Sequence, residues 1–209
     1  MRTLHTLFSA RSRIFDLLQA SAEAALLSAQ AARRLVPHGD AAVAIAAIAG
    51  ARQRERDLAA EIGQELVDAF VTVLDREDVE AINGAISRIP KTIAKFAARY
   101  ALVAGRLDGI DFAARVEILV GCAEIVATMV GELRNGLRIV PLRALQRQLQ
   151  ALEAQADDLL LDAWRELYLG AADPMRAVMA KDLFEIIEAA IDRCRDAGNL
   201  VYAVVLKSH

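Results

Sequence analysis

Glu153 and Asp157 stand four residues apart in the stretch ALEAQADDLLLDAW (151–164), among alanines and leucines. Further along, Glu185, Glu188, Asp192 and Asp196 follow one another at spacings of three, four and four. On a helix such residues share one side, so each set would present a line of carboxylates. Carboxylates converging at a partly buried seam cannot all ionise without compensation, because like charge and desolvation both oppose it. Some would keep their protons, the line would face water, or a cation would sit between the helices. Four carboxylates from two adjacent helices would suit a divalent or trivalent metal with oxygen ligands. The plainer alternative is the solvated face of an amphipathic helix, where acidic pairs at this spacing are common. Glu153 weighs against it, since Leu149, Glu153, Ala156, Leu160, Ala163 and Leu167 alternate at the four- and three-residue steps of a packed seam. His5, His38 and His209 fall at the termini and in a loop, away from either line.

The elements that must carry these residues are helical. Only 11 of 209 residues are glycine and 4 proline, while the dominant types, Ala, Leu, Glu, Arg and Gln, are strong helix formers. Breakers divide the chain into six long segments. The first runs from about 4 to 35 and stops at VPHGD, where Pro37 and Gly39 end it and Asp40 can cap the second, about 41–74. Asp75 of DRED is a candidate N-cap for the third, with Glu77 and Asp78 in the first turn where the helix dipole favours negative charge. Pro90, inside that helix, removes a backbone donor and predicts a kink. The linker RLDGID (106–111) leads to a fourth helix ending near Asn135-Gly136. Pro141 lies near the start of the fifth, which Gly170 breaks after Tyr168, and Asp173-Pro174 opens a sixth reaching about Lys207. On the sixth, Phe184, Ile187, Ile191, Cys194, Val201 and Val205 form the apolar stripe beside the acidic line. Segments of about 25–35 residues fit long antiparallel bundles.

Composition excludes several classes of function. A net charge of −3, with neither a basic cluster nor an RNA-type aromatic motif, gives no reason to expect nucleic acid. The most apolar stretches, VAIAAIAG (43–50) and VEILVGCAEIVATMVG (116–131), are too short or interrupted by Glu117 and Glu124 to span a membrane. The charged N-terminus MRTLHTLFSARSRIFDLLQ does not read as a signal peptide. Cys122 and Cys194, outside any CxxC pair, read as buried small hydrophobes in a reducing compartment. A soluble cytoplasmic protein is expected.

The arrangement repeats. Aligning Asp57 with Asp157 pairs Gln53 with Glu153, and AINGAISRIPK (81–91) aligns with IIEAAIDRCRD (186–196). Asn83, Ser87 and Lys91 then fall opposite Glu188, Asp192 and Asp196. The chain is expected to be two tandem three-helix bundles, 1–105 and 106–209, stacked into one all-α unit.

FVTVLDREDVEAI (70–82), with the paired acids on the fifth and sixth helices and the closing Lys207, resembles the PhoU-like phosphate-transport regulators, in particular the branch found beside Pit-type inorganic phosphate transporters. Leu74 replaces that family's usual proline before DRED. The resemblance implies a cytoplasmic, oligomeric, regulatory protein that acts on an inorganic phosphate transporter or a signalling protein at the membrane. It also implies clusters of metal ions, iron or zinc, held by E-x-x-x-D carboxylates. Carried over, the ligands would be Glu153, Asp157, Glu188 and Asp192, with Asp196 and Glu185 as further candidates. The first half departs from the pattern at Gln53, Asn83, Ser87 and Lys91, so a single site in the C-terminal half is expected.

An enzyme is not expected. A di-iron oxidase needs a Glu-x-x-His pair, and the chain contains neither that pair, nor GxSxG, nor a phosphate-binding loop. The alternative to the metal-dependent regulator is a metal-free helical adaptor, the acids of the second half lying on a hydrated face.

Overall fold

A computed structural model describes residues 2–36, 40–68, 74–169 and 173–208, with residues 2–12 as backbone only. Six α-helices make up the described chain: α1 (Arg2–Leu35), α2 (Ala41–Asp68), α3 (Arg76–Val103), α4 (Ala113–Glu132), α5 (Ile139–Leu169) and α6 (Pro174–Lys207). Single 3-10 turns, Ala104–Arg106 and Leu133–Asn135, close α3 and α4. Short connections fold successive long helices back on one another. α1, α2 and α3 pack together, as do α4, α5 and α6, and the two sets meet through α1 on α4 and α3 on α6. One apolar core, fed by all six helices, runs through both. Among the described residues no helix is long and apolar enough to cross a membrane.

The boundaries follow local chemistry. Asp40 accepts from the Val43 amide at 3.2 Å, capping α2. Asp173 accepts from Met175 N at 3.3 Å with Pro174 at the first helical position, and so opens α6. Gly136 takes a left-handed φ of 95° after α4, where a Cβ would be strained. Asp173→Ala should therefore cost about 1 kcal/mol in chemical denaturation. An unchanged midpoint would show that the cap contributes nothing.

One expectation is corrected. Asp75 makes no side-chain cap at α3. Its carboxylate instead accepts from Lys207 Nζ at 2.6 Å, and Asp78 accepts from the same ammonium at 3.0 Å. The DRED element thus joins the start of α3 to the end of α6. Pro90 does not interrupt α3, which runs through it continuously with the proline ring buried. Pro37, Gly39, Gly170 and the 69–73 end of the expected second helix lie outside the described residues.

An aromatic cluster fills the core where α3, the lead-in to α4 and α6 meet. Phe96, Tyr100, Phe112 and Phe184 stack there at centroid separations of 4.6–6.3 Å. Further along α6, a Cβ at Gly198 would collide with Leu149 of α5 and lie 3.2 Å from Met129 Sδ of α4. This glycine lets α6 lie close against both neighbours, and it sets the α5–α6 separation on which the acidic residues depend.

Candidate functional site

The seam of α5 packs as its spacing predicts: Leu149, Ala156, Leu160 and Ala163 are buried. Phe184, Ile187, Ile191, Cys194, Val201 and Val205 of α6 are buried too. Glu153 is thereby held between Leu149 and Ala156, its side chain only 19% exposed. Asp192, on the facing helix, is about twice as exposed.

An arginine lies between these helices. Arg195 donates to Glu153 Oε1 across the α5–α6 interface and lies 2.9 Å from Asp192 and 3.4 Å from Asp196 on its own helix. The planar guanidinium can serve several oxygens at once. Burial opposes its charge. The Glu153 hydrogen bond, with Asp192 and Asp196, outweighs that and raises the Arg195 pKa above its ordinary value. Asp196 also pairs with Arg193 at 3.2 Å.

Of the six residues put forward from sequence, four share one electrostatic neighbourhood. Burial, then the charges of Asp157, Asp192 and Glu153, push Glu188 up to about 7, with Arg115 pulling the other way. Burial also raises Asp192; Arg195 counters this, and Asp196, Glu153 and Asp157 add to it. Asp196 joins through Arg195. Glu185 is engaged elsewhere, in an ion pair with Lys181, whose ammonium lies 5.9 Å from the Trp164 ring. Burial together with Glu188 and Glu153 pushes the nearby Cys122 thiol up to about 12.

A metal cluster does not fit this arrangement. Three of the implied ligands, Glu153, Asp192 and Asp196, already hold a guanidinium, and an ion at their centre would have to displace it. Among the described residues no group of three or more His, Cys, Asp or Glu side chains is placed to hold a metal ion. The surplus negative charge around Glu188 raises its pKa, and Arg115 offsets part of that rise.

The N-terminal counterpart is built differently. Gln53 donates to Asp57 at 2.8 Å, and Asn83 donates to the Ala59 carbonyl at 3.3 Å. Ser87 donates to Glu55, which is only 2% exposed. Burial raises the Glu55 pKa, against Ser87, Ser21, Arg56 and Arg52. Lys91, Arg52 and Arg56 line the same recess.

Sequence reasoning missed Arg195, Glu55 and Arg115. The Asp192-x-x-Arg195 spacing was the available signal for the first. Arg115 is 8% exposed. Its guanidinium stacks 4.3 Å above Phe184 and donates to the Leu159 carbonyl of α5 and, at 3.3 Å, to that of Asp111. Burial lowers its pKa, opposed by Asp111, Glu166, Glu188 and Asp162.

The architecture is the PhoU-like all-helical fold. Two crystal structures of PhoU-like proteins from Shewanella oneidensis MR-1 match it with TM-scores of 0.78 and 0.79, each over 93% of this chain and 99% of theirs, at 17% sequence identity. One of them is described as a PhoU-like phosphate regulatory protein. Among curated proteins, the UPF0111 protein YkaA of Bacillus subtilis (strain 168) is 23% identical over 149 residues, 69% of this chain and 70% of that protein. No family model matches the sequence.

Proposed function

We propose that the chain is a non-catalytic regulator of inorganic phosphate transport, acting from the cytoplasm on a phosphate transporter or on a signalling protein at the membrane. The observation that carries this reading is the end-to-end match to a PhoU-like phosphate regulatory protein, with 99% of its length and 93% of this chain aligned. The DRED element that first suggested the likeness supports it further. Lys207 ties DRED to the far end of the chain, and this gives the motif a structural role in that fold.

Within this reading the regulator works without a metal cluster, because Arg195 supplies the cation that iron or zinc would otherwise bring. Homo-oligomerisation is part of the proposal, with Ala42, Val43, Ala46 and Ala49 as the exposed apolar positions of α2 available for it. Deleting the chain from its host should change the initial rate of labelled phosphate uptake, and re-supplying the wild type should restore it. Uptake unaltered at both low and high phosphate, with no transporter or signalling protein retained on the immobilised chain, would contradict the proposal.

A further inference from the structure

The chain is acidic overall, with a net charge of −3. Six of its 25 basic residues are nevertheless gathered on one face. Arg52 and Arg56 of α2, Arg88, Lys91 and Lys95 of α3, and Arg193 of α6 line adjoining recesses of about 390 and 590 Å³ that share Arg52 and Lys91. Glu55 is the one acid on these walls. It is 2% exposed, accepts from Ser87 and lies within electrostatic reach of Arg52 and Arg56, so one buried acid faces the basic residues of the groove. Arg193 pairs with Asp196. Arg52, Arg56, Arg88, Lys91 and Lys95 form no ion pair with any carboxylate of the described residues. Holding five like charges together against one buried acid is unfavourable, and a bound anion relieves it.

The placement inverts the other half. Ser87 and Lys91 stand where the internal repeat puts Asp192 and Asp196, so the locus that is acidic on α6 is basic on α3.

We infer that this groove is a binding site for a linear multivalent phosphoryl anion of three or more phosphoryl groups. Guanidinium forks engage phosphoryl oxygens in pairs, and ammonium groups add point charge. The two hydroxyls at the groove are spent, Ser87 on Glu55 and Thr92 on the Arg88 carbonyl, so recognition rests on charge repeated along the groove. Such a site favours a chain of anions over a single orthophosphate. No aromatic side chain lines the recesses, so a nucleobase has no ring to stack on. The inference rests on side-chain placement alone and is independent of any role in phosphate transport.

Isothermal titration of the full chain with tripolyphosphate and with orthophosphate tests it, using wild type, Arg52→Gln/Lys91→Gln and Arg143→Gln/Arg147→Gln. The last pair removes the same charge from the exposed face of α5. Tripolyphosphate should bind the wild type roughly tenfold or more tighter than orthophosphate. The groove variant should lose about tenfold or more, and the α5 variant less than about threefold. Circular dichroism confirms that both variants are folded. Equal loss in the two variants would reduce the effect to net charge and overturn the site. So would equal affinity for both anions, or a charge-dependent preference for phosphatidylglycerol vesicles over tripolyphosphate, which would assign the face to a membrane surface.

Discussion

Replacing Arg195 with methionine is expected to destabilise the protein by about 2 kcal/mol at pH 8, lowering Tm by roughly 5 °C. Breaking a fully buried ion pair typically costs about 3–5 kcal/mol, and this one is partly open to solvent, which screens it. The side chain of Arg195 is 31% exposed and that of Glu153 19%. Methionine keeps most of the stem volume, so the loss reports the charge. Without the guanidinium, Glu153 faces Asp157, Glu188 and Asp192, and Arg115 is left as the internal cation acting on Glu188. The deficit should shrink as pH falls below about 4, where carboxyls protonate and the ion pairs vanish in both proteins. In the variant, added zinc or manganese should recover part of the lost Tm, because the displaced cation can be replaced by another. A variant as stable as the wild type at pH 8 would show that Arg195 carries no structural charge balance.

Glu188→Gln is expected to act in the opposite direction. Burial and three neighbouring carboxylates hold the Glu188 pKa near 7, above the ordinary 4.5. Between these values the folded protein retains a proton that the unfolded chain has released. Stability contributed by this group is therefore full below pH 4.5, falls as pH rises to about 7, and is flat above that. Glutamine mimics the protonated form at every pH. The variant should match the wild type near pH 4 and exceed it by about 2 kcal/mol at pH 8, after allowance for solvent screening of a half-buried group. Thermal unfolding across pH 4–8 reads this directly. A pH-independent difference, or a destabilised variant at pH 8, would mean that Glu188 is ionised and paired in the folded state. A carboxyl-carbon NMR titration of Glu188 gives the same pKa without reference to stability.

Much of the fold was legible in the sequence because helix ends are decided locally. Asp40, Gly136 and Asp173-Pro174 stop and start helices by chemistry confined to a few residues, and the structure uses all three. The seam on α5 and the stripe on α6 were legible for the same reason, since helical periodicity alone places Leu149, Ala156, Ile187 and Ile191 on buried faces. Asp75 misled because its choice between the α3 amides and Lys207 depends on a contact across 132 residues. Arg195 was overlooked for a related reason. An arginine beside two aspartates reads as a surface pair, and only the approach of α6 to α5 at Gly198 brings Glu153 within its reach. Glu55 and Arg115 look like ordinary charged positions until Ser87, Phe184 and the Leu159 carbonyl come in from other helices.

The charge balance of the two halves follows from these placements. The second half answers its acids with two arginines, Arg195 and Arg115, and with burial that raises the Glu188 pKa. The first has exchanged its acids for neutral and basic side chains, leaving a basic groove on α2 and α3. Both outcomes satisfy the requirement that a helical seam not bury uncompensated charge.

The most direct measurement is the metal content of untagged wild-type protein, purified without chelators and then equilibrated in turn with iron, zinc and manganese. The arginine-closed cluster predicts less than one ion per chain in the wild type, with uptake rising in Arg195→Met. Stoichiometric metal in the wild type, lost in Glu153→Ala/Asp192→Ala, would contradict it and would place an ion where Arg195 now sits.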